Sequence, residues 1–123
     1  MRNHLLLLSL LCTGIACKDK EPEPGITFYK AKKAYCGVGD PLNELAWLKA
    51  KVDTFSTVKV GNYTVSVVEY KGGEYFIAGS AFSSSPASEI YTCSGDRALK
   101  PLGVTYNQFM EASKTVQTLY TRR

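Results

Sequence analysis

The sequence is nearly without histidine: His4 is the only one among 123 residues. A folded region downstream of it has no imidazole, which excludes Ser-His and Cys-His catalysis there and most catalytic zinc sites. Charge of one sign is also scarce. The net charge is +4, and only Lys30, Lys32 and Lys33 cluster, so the dense basic face of a nucleic-acid binder is missing. No G-x-S-x-G, Walker-type or dinucleotide glycine pattern occurs, and no C-x-x-C pair. Long apolar runs are absent. The stretch Leu5–Ala16 has twelve residues, against about 20 for a membrane span.

What is present is an ordinary globular composition, 45% apolar and 21% charged, in a chain sized for one domain. The first residues follow the three-part plan of a secretory leader. Arg2 and His4 are basic, Leu5–Leu11 is apolar, and Thr13, Gly14 and Ala16 are small before Cys17. The run Gly14-Ile15-Ala16-Cys17 resembles the lipobox of bacterial lipoproteins. That resemblance implies a leader over residues 1–16 and a diacylglyceryl group on Cys17, which becomes the mature N-terminus. An ordinary cleaved leader is the alternative. Residues 17–25 are polar and Pro-rich and read as a lipidated tether, leaving residues 26–123 as a single small domain. Lys18-Asp19 with the acids that follow resembles the surface-export tag of Bacteroidota lipoproteins. Asp is absent directly after Cys17, so the inner-membrane retention signal is missing. The expected location is the outer membrane, with the tag pointing to surface exposure.

Of four cysteines, Cys12 leaves with the leader and Cys17 carries lipid. Cys36 and Cys93 remain, and an oxidising compartment favours a disulfide between them. Two separate thiols are the alternative. Two cysteines without histidine rarely complete a zinc shell, so no metal site is expected. No cofactor is expected either.

The patterning predicts an α+β fold, a small antiparallel meander packed with one or two short helices. Ile26–Tyr29 reads as a short strand. Asp40-Pro41 is a helix start, with Asp40 as N-cap and Glu44 near the positive helix end. The helix is expected from Pro41 to about Val52, with Leu45, Leu48, Val52 and Phe55 on one face. Trp47 points away from that stripe and is either a binding aromatic or a packing contact on the sheet edge. Thr57–Val60 and Tyr63–Tyr70 flank Gly61-Asn62 and read as a hairpin, continued through Lys71-Gly72-Gly73 into Glu74–Ala78. Residues 63, 65 and 67 share one face, able to pack on the helix; the other face is mixed, as in an open sheet. Gly79–Ser88 is a loop and Glu89–Cys93 a short strand. Thr105 and Gln108 form a capping box, with Val104 and Phe109 as its hydrophobic staple, opening a helix from Tyr106 to about Ser113. Thr115–Thr121 reads as a final strand; one longer helix to Tyr120 is the alternative.

The segment Pro41-Leu42-Asn43-Glu44-Leu45-Ala46-Trp47-Leu48-Lys49, preceded by Cys36, resembles a motif of small Bacteroidota lipoproteins, P-L-x-E-L-P-W-L-K at a helix start. Tyr91-Thr92-Cys93 matches their Y-x-C element, while Ala46 stands where they have Pro. The resemblance implies a lipoprotein of α+β architecture and no particular activity, since those domains are of unknown function.

Two function classes follow. The first is a non-catalytic envelope module that binds a protein, peptide or glycan, or inhibits an enzyme. Trp47, Tyr70, Phe76 and Tyr91 are its candidate binding residues, the last three on one sheet face or packed beneath the terminal helix. The second is a histidine-free hydrolase, glycosidase-like, built on two carboxylates among Asp40, Glu44, Glu69, Glu74, Glu89 and Asp96. The first is preferred, with no catalytic residue assigned.

Overall fold

The computed structural model describes residues 25–58 and 61–123. The leader, Cys17 and residues 17–24 of the tether lie outside the described residues, as do Lys59 and Val60. Five strands form one antiparallel sheet: β1 (Ile26–Phe28), β2 (Tyr63–Tyr70), β3 (Gly73–Ser80), β4 (Ile90–Tyr91) and β5 (Ser113–Arg122). Their spatial order is β1-β5-β2-β3-β4. The helices are α1 (Pro41–Glu44), α2 (Ala46–Thr57), α3 (Leu99–Leu102) and α4 (Tyr106–Ala112), with a 3-10 turn at Pro86–Glu89. The architecture is α+β.

Alternation along β2 divides the core between the two faces. Val65 and Val67 face α2 and pack with Leu48, Val52, Phe76 and Tyr120. Val68 and Tyr70 point the other way and pack with Ile90, Leu99 and Phe109 under α3 and α4. The second face is therefore partly covered rather than open. Each fully buried aliphatic side chain contributes roughly 1.5–3 kcal/mol, so both layers stabilise the sheet.

The expected helix from Pro41 to Val52 is two helices. Leu45 is extended, with φ −95° and ψ 105°, and separates α1 from α2. Leu42 and Leu48 are both buried in the α2-side core. Six residues apart on one continuous helix, they would face directions roughly 120° apart; the break lets both face inward. The Asp40 side chain does not cap α1. Its Oδ2 accepts a bond from Asn43 Nδ2 at 2.8 Å, and Glu44 Oε2 accepts the Asp40 N–H at 2.7 Å.

The hairpin expected around Gly61-Asn62 does not form. α2 continues to Thr57, and β2 pairs with β3 and β5. Phe55 stacks on Tyr63 at 4.6 Å and the Ser56 hydroxyl bonds the Tyr120 hydroxyl at 3.0 Å. These contacts draw Thr57 into the helix despite its strand preference. The meander is instead β2-β3-β4. β3 extends to Ser80, and the last part of the expected Gly79–Ser88 loop is the 3-10 turn.

The capping box is as expected. Thr105 Oγ1 accepts from Gln108 N–H at 3.1 Å, and Gln108 Oε1 accepts from Thr105 N–H at 2.9 Å. β5 follows at once, so the longer helix is excluded. Its register against β2 shifts twice, leaving Leu119 and Val116 without partners on that strand. These bulges place the consecutive residues Leu119 and Tyr120 in the same core cluster.

Candidate functional site

The end of the sheet that carries the β2–β3 turn also carries the disulfide. Cys36 and Cys93 are bonded, with Cα atoms 5.7 Å apart. Cys36 and Gly37 both have positive φ, 53° and 79°, between Tyr35 and Val38, whose backbones exchange two hydrogen bonds of 3.0 Å. Positive φ at both central residues defines a type I′ turn. Cys93 follows β4. Glu74, near the start of β3, meets both halves: its Oε1 accepts the Cys36 N–H at 2.7 Å, and its carbonyl oxygen lies 3.6 Å from Cys93 Sγ.

Trp47 stands in the first turn of α2 beside this bridge. Its indole Nε1–H donates to the Cys93 carbonyl at 2.9 Å. Its ring lies edge-on to Phe76, centroids 5.7 Å apart, and tilted to Tyr91 at 5.3 Å. Gly95 supports the ring from the loop after β4. Its φ is +93°, and a Cβ there would fall 2.6 Å from Trp47 Cγ, so glycine is required twice over.

Lys51 lies one turn beyond Trp47 and on the same side of α2. Its ammonium stands 4.5 Å from the Tyr91 ring centroid, a cation–π contact. Trp47, Lys51, Thr54, Phe55 and Tyr91 line an open groove of about 470 Å³. The groove offers three partly exposed aromatic rings, Trp47, Phe55 and Tyr91, and a cation. That combination suits a ligand with a flat apolar face and a negative or carbonyl-rich edge.

Of the four expected binding residues, three come together. Trp47 and Tyr91 line the groove, and Phe76, fully buried, packs edge-on against Trp47 without lining it. Tyr70 is not part of it. It lies on the opposite face, 5% exposed, stacked on Phe109 at 4.7 Å. Tyr70, Phe76 and Tyr91 therefore do not share one sheet face, because residues 70 and 76 point to opposite sides of the β2–β3 hairpin. Lys51 and Gly95 are the contributors that sequence reasoning missed. The spacing of four from Trp47 to Lys51 is the signal that points to the first.

The six acids considered for a hydrolase are dispersed. Asp40 and Glu44 serve the start of α1. Glu69 lies 4.0 Å from the Lys33 ammonium, and Asp96 Oδ2 accepts from the Ser94 hydroxyl at 3.1 Å. Glu74 holds the Cys36 turn, and Glu89 Oε2 accepts the Ser80 N–H at 3.2 Å. A cleft of about 400 Å³ beside Phe28 and Tyr29 carries Asp40 as its acid. Another of about 310 Å³, between Ser80 and Tyr106, carries Glu89. Neither brings two carboxylates together. Among the described residues, no group of three or more His, Cys, Asp or Glu side chains is placed to hold a metal ion, and no helix is long and apolar enough to cross a membrane.

No family model, no curated protein and no solved structure matches this chain.

Proposed function

We propose that the chain is a lipoprotein of the bacterial outer membrane, related to the small Bacteroidota lipoproteins it resembles. It is held through acylated Cys17, and its domain is a non-catalytic binding or inhibitory module of the envelope. The partner is an envelope protein, peptide or glycan that lays a flat apolar group against the exposed surfaces of Trp47 and Tyr91 and presents a negative or carbonyl edge to Lys51. The observation that carries this reading is the Trp47–Tyr91–Lys51 groove, held in shape by a disulfide, a glycine contact and an indole hydrogen bond. A rigid aromatic site loses little side-chain freedom on binding, and such residues dominate interface energy.

The test is crosslinking of the membrane-bound protein in intact envelopes, with Tyr91→Ala and Lys51→Glu compared against the parent. Both variants should lose the adduct while keeping the disulfide and the far-UV spectrum. An adduct unchanged by both substitutions removes the groove from the account. In parallel, glycan and peptide substrates should show no turnover above buffer. Turnover abolished by replacing one carboxylate, Asp40 or Glu89, replaces the binding module with the hydrolase.

A further inference from the structure

The two ends of the sheet differ in what they present, and the difference bears on how the domain sits on its membrane. At one end, Ile26 of β1, Arg122 of β5, Tyr63 of β2 and Ser80 of β3 lie in a single row across the sheet. Gly25 enters this row from the tether, its carbonyl accepting the Arg123 N–H at 3.0 Å. The loop after β3 leaves from the same row: Ala81 N–H donates to the Asn62 carbonyl at 3.1 Å. The next residue is Phe82, 78% exposed and the most exposed large apolar side chain among the described residues. Arg122 of the same row donates from its guanidinium to the Gly61 carbonyl at 3.3 Å, Arg123 after it is exposed, and Glu89 reaches the row from behind through the Ser80 N–H. The Trp47 part of the groove lies toward the other end, beside Glu74 and the disulfide, while its Phe55 part stacks on Tyr63 of this row.

We propose that this end, with Phe82 and Arg123, is a second membrane contact: it docks on the anionic surface of the bilayer that holds Cys17. The proposal rests on the lipoprotein reading and goes beyond it. The eight residues from Lys18 to Gly25 follow Cys17. Fully extended they span at most roughly 30 Å, so Gly25 and the row beside it stay close to the headgroup region. Tethering at that length gives an effective concentration in the millimolar range, at which a weak apolar and cationic contact is populated. Phe82 enters the interface as an apolar wedge, and exposed Arg123 meets lipid phosphate. Docked this way, the domain stands its sheet on end and directs the Trp47 end of the groove away from the bilayer.

The experiment uses the full-length protein purified from membranes, with its lipid read by intact mass. It is reconstituted into vesicles of phosphatidylethanolamine and phosphatidylglycerol containing brominated lipid. In Phe82→Trp, the added tryptophan should be blue-shifted and strongly quenched, while Trp47 of the parent should be unquenched. Replacing phosphatidylglycerol by phosphatidylcholine, or adding Arg123→Gln, should reduce that quenching severalfold. A lipid-bearing Phe82→Trp protein whose added indole is unquenched overturns the docking and leaves the anchor standing. A protein whose mass shows no lipid overturns the anchor and the docking with it.

Discussion

The indole N–H of Trp47 donates to the carbonyl of Cys93 across 2.9 Å, so the single tryptophan is bonded to the loop that carries the disulfide. Helix α2, strand β4 and the turn at Cys36 are thereby locked around one point. The groove proposed as the binding site is the outer surface of that lock. Its shape depends on the same contacts that stabilise this end of the fold.

Breaking the bridge is expected to loosen the groove before it unfolds the sheet. The cysteines are 57 residues apart, for which the chain-entropy model gives about 4 kcal/mol, an upper figure because native strain subtracts from it. Cys36→Ser with Cys93→Ser should lower the urea midpoint accordingly. In the lipidated parent, thiol titration of denatured, unreduced protein should find no free thiol; two reactive thiols would refute the bridge.

Gly95 and Trp47 should be energetically coupled. Gly95→Ala adds a Cβ at positive φ and against the indole, so it should cost more than about 1 kcal/mol and shift the Trp47 emission. Trp47→Phe should cost about 1–2 kcal/mol by leaving the Cys93 carbonyl without its donor. The double variant should cost less than the sum of the two single changes, because the Cβ added at position 95 then meets a smaller ring. Strict additivity would place the two residues in independent sites.

Gln117 is the least expendable polar side chain of the core. It is 9% exposed; its Oε1 accepts from Tyr35 Oη and Lys32 N–H, and its Nε2 donates to the Lys30 carbonyl. Gln117→Leu strands those groups and should cost roughly 2–4 kcal/mol in chemical denaturation, with faster amide exchange over residues 30–35. Unchanged exchange there would show that the segment is held by other contacts.

The parts of this structure that are legible in the sequence are those decided locally. Thr105 and Gln108 announce their helix because the capping box is a bond between neighbours. The β2–β3 hairpin is announced by Gly72 and by alternation. The break at Leu45 is not legible, because what separates α1 from α2 is the need of Leu42 and Leu48 to reach one core. The bulges at Val116 and Leu119 are equally hidden, since a bulge is a property of two strands. Trp47 stands out as a lone aromatic off the apolar stripe, yet its partner Gly95 lies 48 residues away and nothing local joins them. Sequence patterning groups Tyr70 with the wrong face because Phe76 lies across a turn, where counting along one strand no longer gives the side.

The measurement that bears most directly on the central claim, a domain tethered to the outer membrane through Cys17, is the intact mass of the protein extracted from membranes. The expected mass is that of residues 17–123 with one disulfide and acyl groups on Cys17, and Cys17→Ala should move the protein to the soluble fraction. The mass of residues 17–123 with an unmodified Cys17 thiol, or of the full chain with its leader retained, would contradict the claim.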